Sequence, residues 1–121
     1  YIDDSKRICD YISNLKNPYI IFFNGYLKEN RPNSNPNTEE IFNTFKINYK
    51  IPLLLTKEIG VNSSDAKFIY ISTMASVKYR NKNYIYGISK SLLEKKVIKL
   101  NLNHLILYMY IWLNVTVFTC F

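Results

Sequence analysis

Tyr86 and Lys90 stand four residues apart in Tyr86-Gly87-Ile88-Ser89-Lys90. On a helix that spacing puts both side chains on one face, with about 5–6 Å between Cβ atoms. At about 4 Å and an effective dielectric of ~20, an ammonium favours a neighbouring phenolate by roughly 4 kcal/mol. That is enough to draw a phenol from ~10 toward neutrality, where it exchanges protons readily. Eleven tyrosines and 13 lysines also make such pairs frequent by chance. An exposed pair on a basic helix is therefore the rival reading, and the decision falls to the residues nearby.

Three of those fall where α/β folds gather ligand groups, at the C-terminal ends of buried strands or on the helices between them. Thr73 precedes Tyr86 by 13 residues and closes the apolar run Phe68-Ile69-Tyr70-Ile71. Ser72 competes for the same role, and strand alternation lets only one of the two face the tyrosine. Asn24-Gly25 closes Tyr19-Ile20-Ile21-Phe22-Phe23 in the same way, with a plain turn as its alternative. Asn48 is an amide among apolar neighbours within a long helix, either a site residue or a cap at the break before Pro52.

The elements that must position these residues alternate. Asp3 and Asp4 suit a helix N-terminus, and Ile8, Tyr11, Ile12 and Leu15 recur at helical spacing, so residues 4–16 read as an amphipathic helix. Asn17-Pro18 stops it. Residues 19–23 form a continuous apolar strand of the kind buried in a parallel sheet. Residues 28–37 carry Asn, Pro and Ser without period and read as a loop. Thr38, an N-cap candidate followed by Glu39 and Glu40, opens a helix that Pro52 kinks or divides and Gly60 closes. A second buried strand spans residues 68–71 and ends in Ser72-Thr73. Residues 77–83 read as loop. Residues 84–100 form a third helix with Ile88, Leu92, Val97 and Leu100 on its apolar stripe. The alternation indicates a parallel α/β sheet.

Composition narrows the function. A chain of 121 residues, 48% hydrophobic, makes one domain and leaves no room for two. Its net charge of +7 comes from lysines scattered between Lys6 and Lys99. High Lys, Asn, Ile and Tyr together fit an AT-rich coding bias, so no nucleic-acid partner is expected. One histidine and two cysteines, Cys9 and Cys120, near opposite ends, exclude a histidine-built metal site and a disulfide scaffold. A reduced, cytoplasmic chain is expected. The N-terminal stretch carries charges throughout and is no signal peptide; the start at Tyr1 suggests a missing beginning. Residues 105–121 form an apolar tail broken only by Asn114, Thr116 and Thr119. It is short for a transmembrane helix, which needs ~20 apolar residues.

Taken together, these motifs resemble the middle and later part of a short-chain dehydrogenase/reductase. Phe22-Phe23-Asn24-Gly25 is similar to that family's Asn-Asn-Ala-Gly strand end, without the Ala. Phe45-Lys46-Ile47-Asn48-Tyr49 through Pro52-Leu53-Leu54-Leu55 resembles the helix bearing its active-site asparagine. Ile71-Ser72-Thr73-Met74-Ala75-Ser76 matches the strand end bearing its serine, and Tyr86-Gly87-Ile88-Ser89-Lys90-Ser91 its tyrosine-lysine signature. The four matches run in order over residues 19–100.

The resemblance implies an incomplete, partial doubly wound Rossmann-like parallel sheet in three layers. The implied activity is hydride transfer between NAD or NADP and a small carbonyl or alcohol. Tyr86 is the implied general acid/base. Lys90 bonds the nicotinamide ribose and lowers the phenol's pKa. Thr73, in the serine's place, orients the substrate oxygen, and Asn48 holds a water that relays protons. Asn24 and Gly25 line the cofactor's adenosine side.

Two departures stand against it. The family's Thr-Gly-x-x-x-Gly-x-Gly turn, whose helix N-terminus takes the pyrophosphate, is absent, since the only glycines are Gly25, Gly60 and Gly87. The Pro-Gly element after the next strand is absent too, and residues 108–121 read as out of register. The expected chain is thus a fragment, inactive alone, with uncovered apolar surface that favours self-association into a homo-oligomer. The alternative is a non-enzymatic interaction module held at a membrane surface by its apolar tail and lysines.

Overall fold

The computed structural model describes residues 2–27, 35–78 and 83–109. Helix α1 (Ile2–Ser13) turns Cys9 and Ile12 toward the core. It ends three residues before the expected boundary, because Asn14 donates its side-chain amide back to the Asp10 carbonyl at 2.9 Å and Asn17 takes a left-handed φ of 52°. The Asn17 N–H then donates to Asp65 Oδ2 at 2.6 Å, fixing where the first strand begins. Strand β1 (Tyr19–Phe22) stops one residue short of Phe23.

Helix α2 (Thr38–Phe45) is capped by Asn37, whose Oδ1 accepts from the Glu40 N–H at 2.8 Å; Thr38, the expected cap, is the first helical residue. A π-helical turn (Lys46–Lys50) leads directly into α3 (Ile51–Asn62). The break therefore lies just upstream of Pro52. Proline brings no N–H to the carbonyl of Asn48 four residues earlier, and the ladder widens at that point. Gly60 does not close the helix. A Cβ there would lie 2.8 Å from Leu102 Cδ1, so glycine serves close packing against the segment entering the last strand.

Strand β2 (Lys67–Thr73) pairs in parallel with β1 on one side and with β3 (His104–Met109) on the other, in the order β1-β2-β3. Ile21, Ile69 and Leu105 lie in register across the sheet. Between β2 and β3 run a 3₁₀ turn (Met74–Ser76) and helix α4 (Tyr84–Lys99). One core joins Cys9 of α1, Leu53 and Ile59 of α3, Phe68 and Tyr70 of β2, and Leu93 and Val97 of α4. The chain is thus α/β, with a small parallel sheet. Among the described residues its helices share one side of that sheet. On the other side Tyr19, Ile21, Leu105 and Leu107 are exposed, so the helical layer expected there is not found among the described residues.

The apolar stripe expected on α4 is displaced. Ile88 is exposed, and the buried face carries Tyr86, Ser89, Lys90 and Glu94 beside Leu93 and Val97. Most of the 28–37 loop and the tail beyond Met109, including Asn114, Thr116 and Thr119, lie outside the described residues, and with them the basis of the membrane-surface alternative. No helix among the described residues is long and apolar enough to cross a membrane.

Candidate functional site

Parallel pairing puts the C-terminal ends of β1 and β2 side by side, and α4 begins against the turn that follows β2. Gly87 makes that approach close: a Cβ on it would lie 2.2 Å from the Ala75 carbonyl oxygen. The helix thereby swings Tyr86 and Lys90 over the strand ends.

Lys90 is only 3% exposed. Its Nζ donates to the Asn24 carbonyl at 2.6 Å and the Ile71 carbonyl at 3.1 Å, so one amine bridges the ends of the two strands. It lies 6.0 Å from the centre of the Tyr86 ring. A Cβ on Gly25 would sit 3.6 Å from the Tyr86 hydroxyl, which places that glycine beside the phenol. Asn24 and Gly25, expected along the cofactor's adenosine side, thus stand beside Tyr86 and Lys90.

The expected electrostatics are corrected. Burial pushes the Tyr86 phenol above its ordinary value. Burial also draws Lys90 down to about 8, with Glu94 acting in the opposite sense. The ammonium spends itself on two carbonyls and does not make the phenol acidic. Desolvation, left out of a pairwise Coulomb estimate, decides the sign. At neutral pH the site holds a neutral phenol and a cationic amine, both able to donate a proton to an incoming oxygen.

Asn48 is fully buried in the π-helical turn. Its Oδ1 accepts from the Tyr26 N–H at 2.7 Å, and its Nδ2 donates to the Tyr26 carbonyl at 2.9 Å and to Ser89 Oγ at 3.2 Å. The side chain clamps the backbone after Gly25. Ser89 in turn donates to the Tyr86 carbonyl at 2.7 Å. Asn24 donates to the Ile47 carbonyl at 2.6 Å, while its Oδ1 is buried with no hydrogen-bond partner among the described residues.

Ser72 and Thr73 point to opposite sides of β2, as alternation requires. Ser72 Oγ donates to Glu94 Oε1. Thr73 Oγ1 accepts from the Ala75 N–H at 3.3 Å and starts the 3₁₀ turn. Among the described residues neither hydroxyl bonds the Tyr86 phenol. The structure therefore gathers Asn24, Gly25, Asn48, Tyr86 and Lys90 and leaves Thr73 joined to them through the Ala75–Gly87 contact.

Sequence reading missed Tyr26, Ser89 and Glu94. Their signal was spacing: Ser89 three residues after Tyr86, Glu94 one turn after Lys90, Tyr26 next to Gly25. Among the described residues no cluster of three potential metal ligands occurs. No protein-family model and no curated protein matches the chain.

Proposed function

We propose that this chain carries the proton-transfer half of a short-chain dehydrogenase/reductase site, within a Rossmann-like doubly wound, three-layer domain of which it is one part. The reaction is hydride transfer between NAD or NADP and a small carbonyl or alcohol. The observation that carries the reading is the Lys90 amine bridging the ends of β1 and β2 with the Tyr86 phenol beside Gly25. Four motifs far apart in the chain thereby meet at one sheet edge.

Support for the cofactor is divided. On the nicotinamide side, Gly25 leaves room next to the phenol, Asn24 Oδ1 is an acceptor in want of a donor, and an ammonium with three protons has one left after its two carbonyls. On the pyrophosphate side the chain offers no Gly-rich turn. Among the described residues β1 has an unpaired edge and the outer sheet face is exposed, consistent with further strands and a second helical layer completing the fold and bringing that turn.

The cofactor, when bound, supplies or accepts the hydride. Tyr86 donates its phenolic proton to the substrate oxygen in the reductive direction and takes it back in the oxidative one. In the reductive direction it starts as the neutral acid, in keeping with its raised pKa, and in the oxidative direction it takes the alcohol proton as the phenolate. Lys90 would offer its remaining N–H to the ribose, and Asn48 fixes the backbone of Tyr26 next to Gly25. Thr73 guides the substrate oxygen from the strand end.

The test is a chain completed at its N-terminus with a Gly-rich dinucleotide-binding βαβ unit and assayed with NADH or NADPH and small aldehydes or ketones. Tyr86→Phe is expected to lower turnover by roughly 10²–10⁴-fold. Turnover close to that of the unsubstituted chain overturns the proposal.

A further inference from the structure

The Lys67 N–H donates to the Pro18 carbonyl at 2.9 Å. Bonding residues alternate along a strand, so Ile20 and Phe22 spend their backbone groups on β2, and those of Tyr19 and Ile21 turn to the opposite edge. Among the described residues no strand pairs with that edge. Sheet edges are ordinarily blunted by charged side chains or proline. Residues 19–23 carry neither.

The side chains add a symmetry to the free edge. Tyr19, Ile21 and Phe23 are 63%, 46% and 71% exposed, while Ile20 and Phe22 between them are half-buried. The exposed order, aromatic-aliphatic-aromatic, reads the same from either end. An antiparallel copy turned about Ile21 therefore sets Tyr19 opposite the partner's Phe23 and Ile21 opposite its own counterpart. Residues so opposed exchange their outward N–H and C=O groups, and the aromatic rings meet as cross-strand pairs. Beside this edge Ile8 and Tyr11 of α1 and Leu15 after it are exposed as well. They line one groove with β1, and its charges, Asp4 and Arg7, are of opposite sign. At the areas that aromatic side chains bury, these exposed groups offer roughly 600 Å² per copy, or about 1,200 Å² for two, which reaches the lower bound of stable interfaces.

We propose that β1 is a self-pairing edge, through which two copies of this chain join by antiparallel β1 strands with Ile21 on the two-fold axis. The same patch serves both copies, so each edge is used up by the other and association through it stops at the dimer. The inference goes beyond the function proposed above and stands without it. A strand that completed the Rossmann-like domain at this edge would take the partner's place.

The experiment follows the full chain by sedimentation velocity and by amide hydrogen exchange, read residue by residue in ¹H–¹⁵N spectra, between roughly 10 µM and 1 mM. The expected result is a monomer–dimer equilibrium in which the Tyr19 and Ile21 amides exchange at least about tenfold more slowly at the high concentration. Ile20 and Phe22, already bonded to β2, should change less. Ile21→Pro removes the central edge donor and is compatible with a strand whose N–H faces outward, so the variant, shown to be folded by circular dichroism, should sediment as a monomer. Exchange in the unsubstituted chain reads the same pairing if this variant does not fold. A chain monomeric throughout that range, a dimer whose Tyr19 and Ile21 amides exchange at the monomer's rate, or a folded Ile21→Pro that still dimerises overturns the proposal. None of these outcomes touches the turnover test of Tyr86, and failure of that test leaves the dimer in place.

Discussion

Replacing Gly87 by alanine tests whether α4 is held against the turn after β2 as closely as the site requires. Inside a helix, glycine to alanine ordinarily gains about 1 kcal/mol. Here the new methyl would meet the Ala75 carbonyl oxygen at 2.2 Å and its carbon at 2.9 Å, both backbone atoms. No side chain can rotate away to relieve that clash, so the helix start or the 3₁₀ turn must move. Overpacking of this kind costs ~1–3 kcal/mol, and it outweighs the propensity gain. A net loss of up to about 2 kcal/mol is expected in urea unfolding followed by circular dichroism. Gly25→Ala is the control, since its methyl would find ordinary contact at 3.6 Å from the Tyr86 hydroxyl, and a change within about 0.5 kcal/mol is expected. If Gly87→Ala leaves stability unchanged or raises it, α4 does not sit where this reasoning needs it.

Three further outcomes follow from the same geometry. Lys90 titrates near 8 in the folded chain, against an ordinary lysine value of 10.5. The unfolded chain therefore holds more protons in that window, and stability from this group rises with pH between the two values. The difference in unfolding free energy between the native chain and Lys90→Met should move in favour of the native chain by roughly 3 kcal/mol across that range; a flat difference contradicts the assigned burial. Asn48→Ala leaves the backbone of Tyr26 and the hydroxyl of Ser89 without their amide partner, and should cost about 1–3 kcal/mol in urea unfolding. A loss below about 0.5 kcal/mol counts against the clamp. Ile21→Lys puts a charge on the uncovered sheet face beside Ile69 and Leu105; sedimentation velocity should show less self-association, and an unaltered distribution would place the sticky surface elsewhere.

Much of the fold was legible because its apolar runs are unambiguous. Tyr19-Ile20-Ile21-Phe22 and Phe68-Ile69-Tyr70-Ile71 read as strands between amphipathic segments, and a parallel α/β sheet follows from the alternation; the burial expected of the first run is not found, since Tyr19 and Ile21 lie on the exposed sheet face. The α4 stripe held at Val97 and Leu100, which pack in the core, and failed at Ile88 for an informative reason: Tyr86, Ser89, Lys90 and Glu94 occupy much of the buried face, while Ile88 faces outward. Helix ends were misplaced wherever side-chain bonds decide them, as with Asn14 on Asp10 and Asn37 on Glu40. The convergence of Asn24, Asn48, Tyr86 and Lys90 was anticipated from order and spacing. The sign of the tyrosine's perturbation was not, because spacing carries the Coulomb attraction and says nothing of the desolvation that opposes it. The clamp of Asn48 on Tyr26 was equally hidden, since it depends on a backbone segment 22 residues away.

Recognition of the nicotinamide half of the cofactor by the Lys90–Tyr86 edge does not need the absent phosphate turn, and it is the property on which the proposed chemistry depends most directly. Titrating the ¹⁵N- and ¹³C-labelled chain with reduced nicotinamide mononucleotide should shift the resonances of Asn24, Gly25, Tyr86 and Lys90 together and saturably, with Lys90→Met abolishing the response. Shifts spread over other surfaces, or no shift at these four residues, would contradict it.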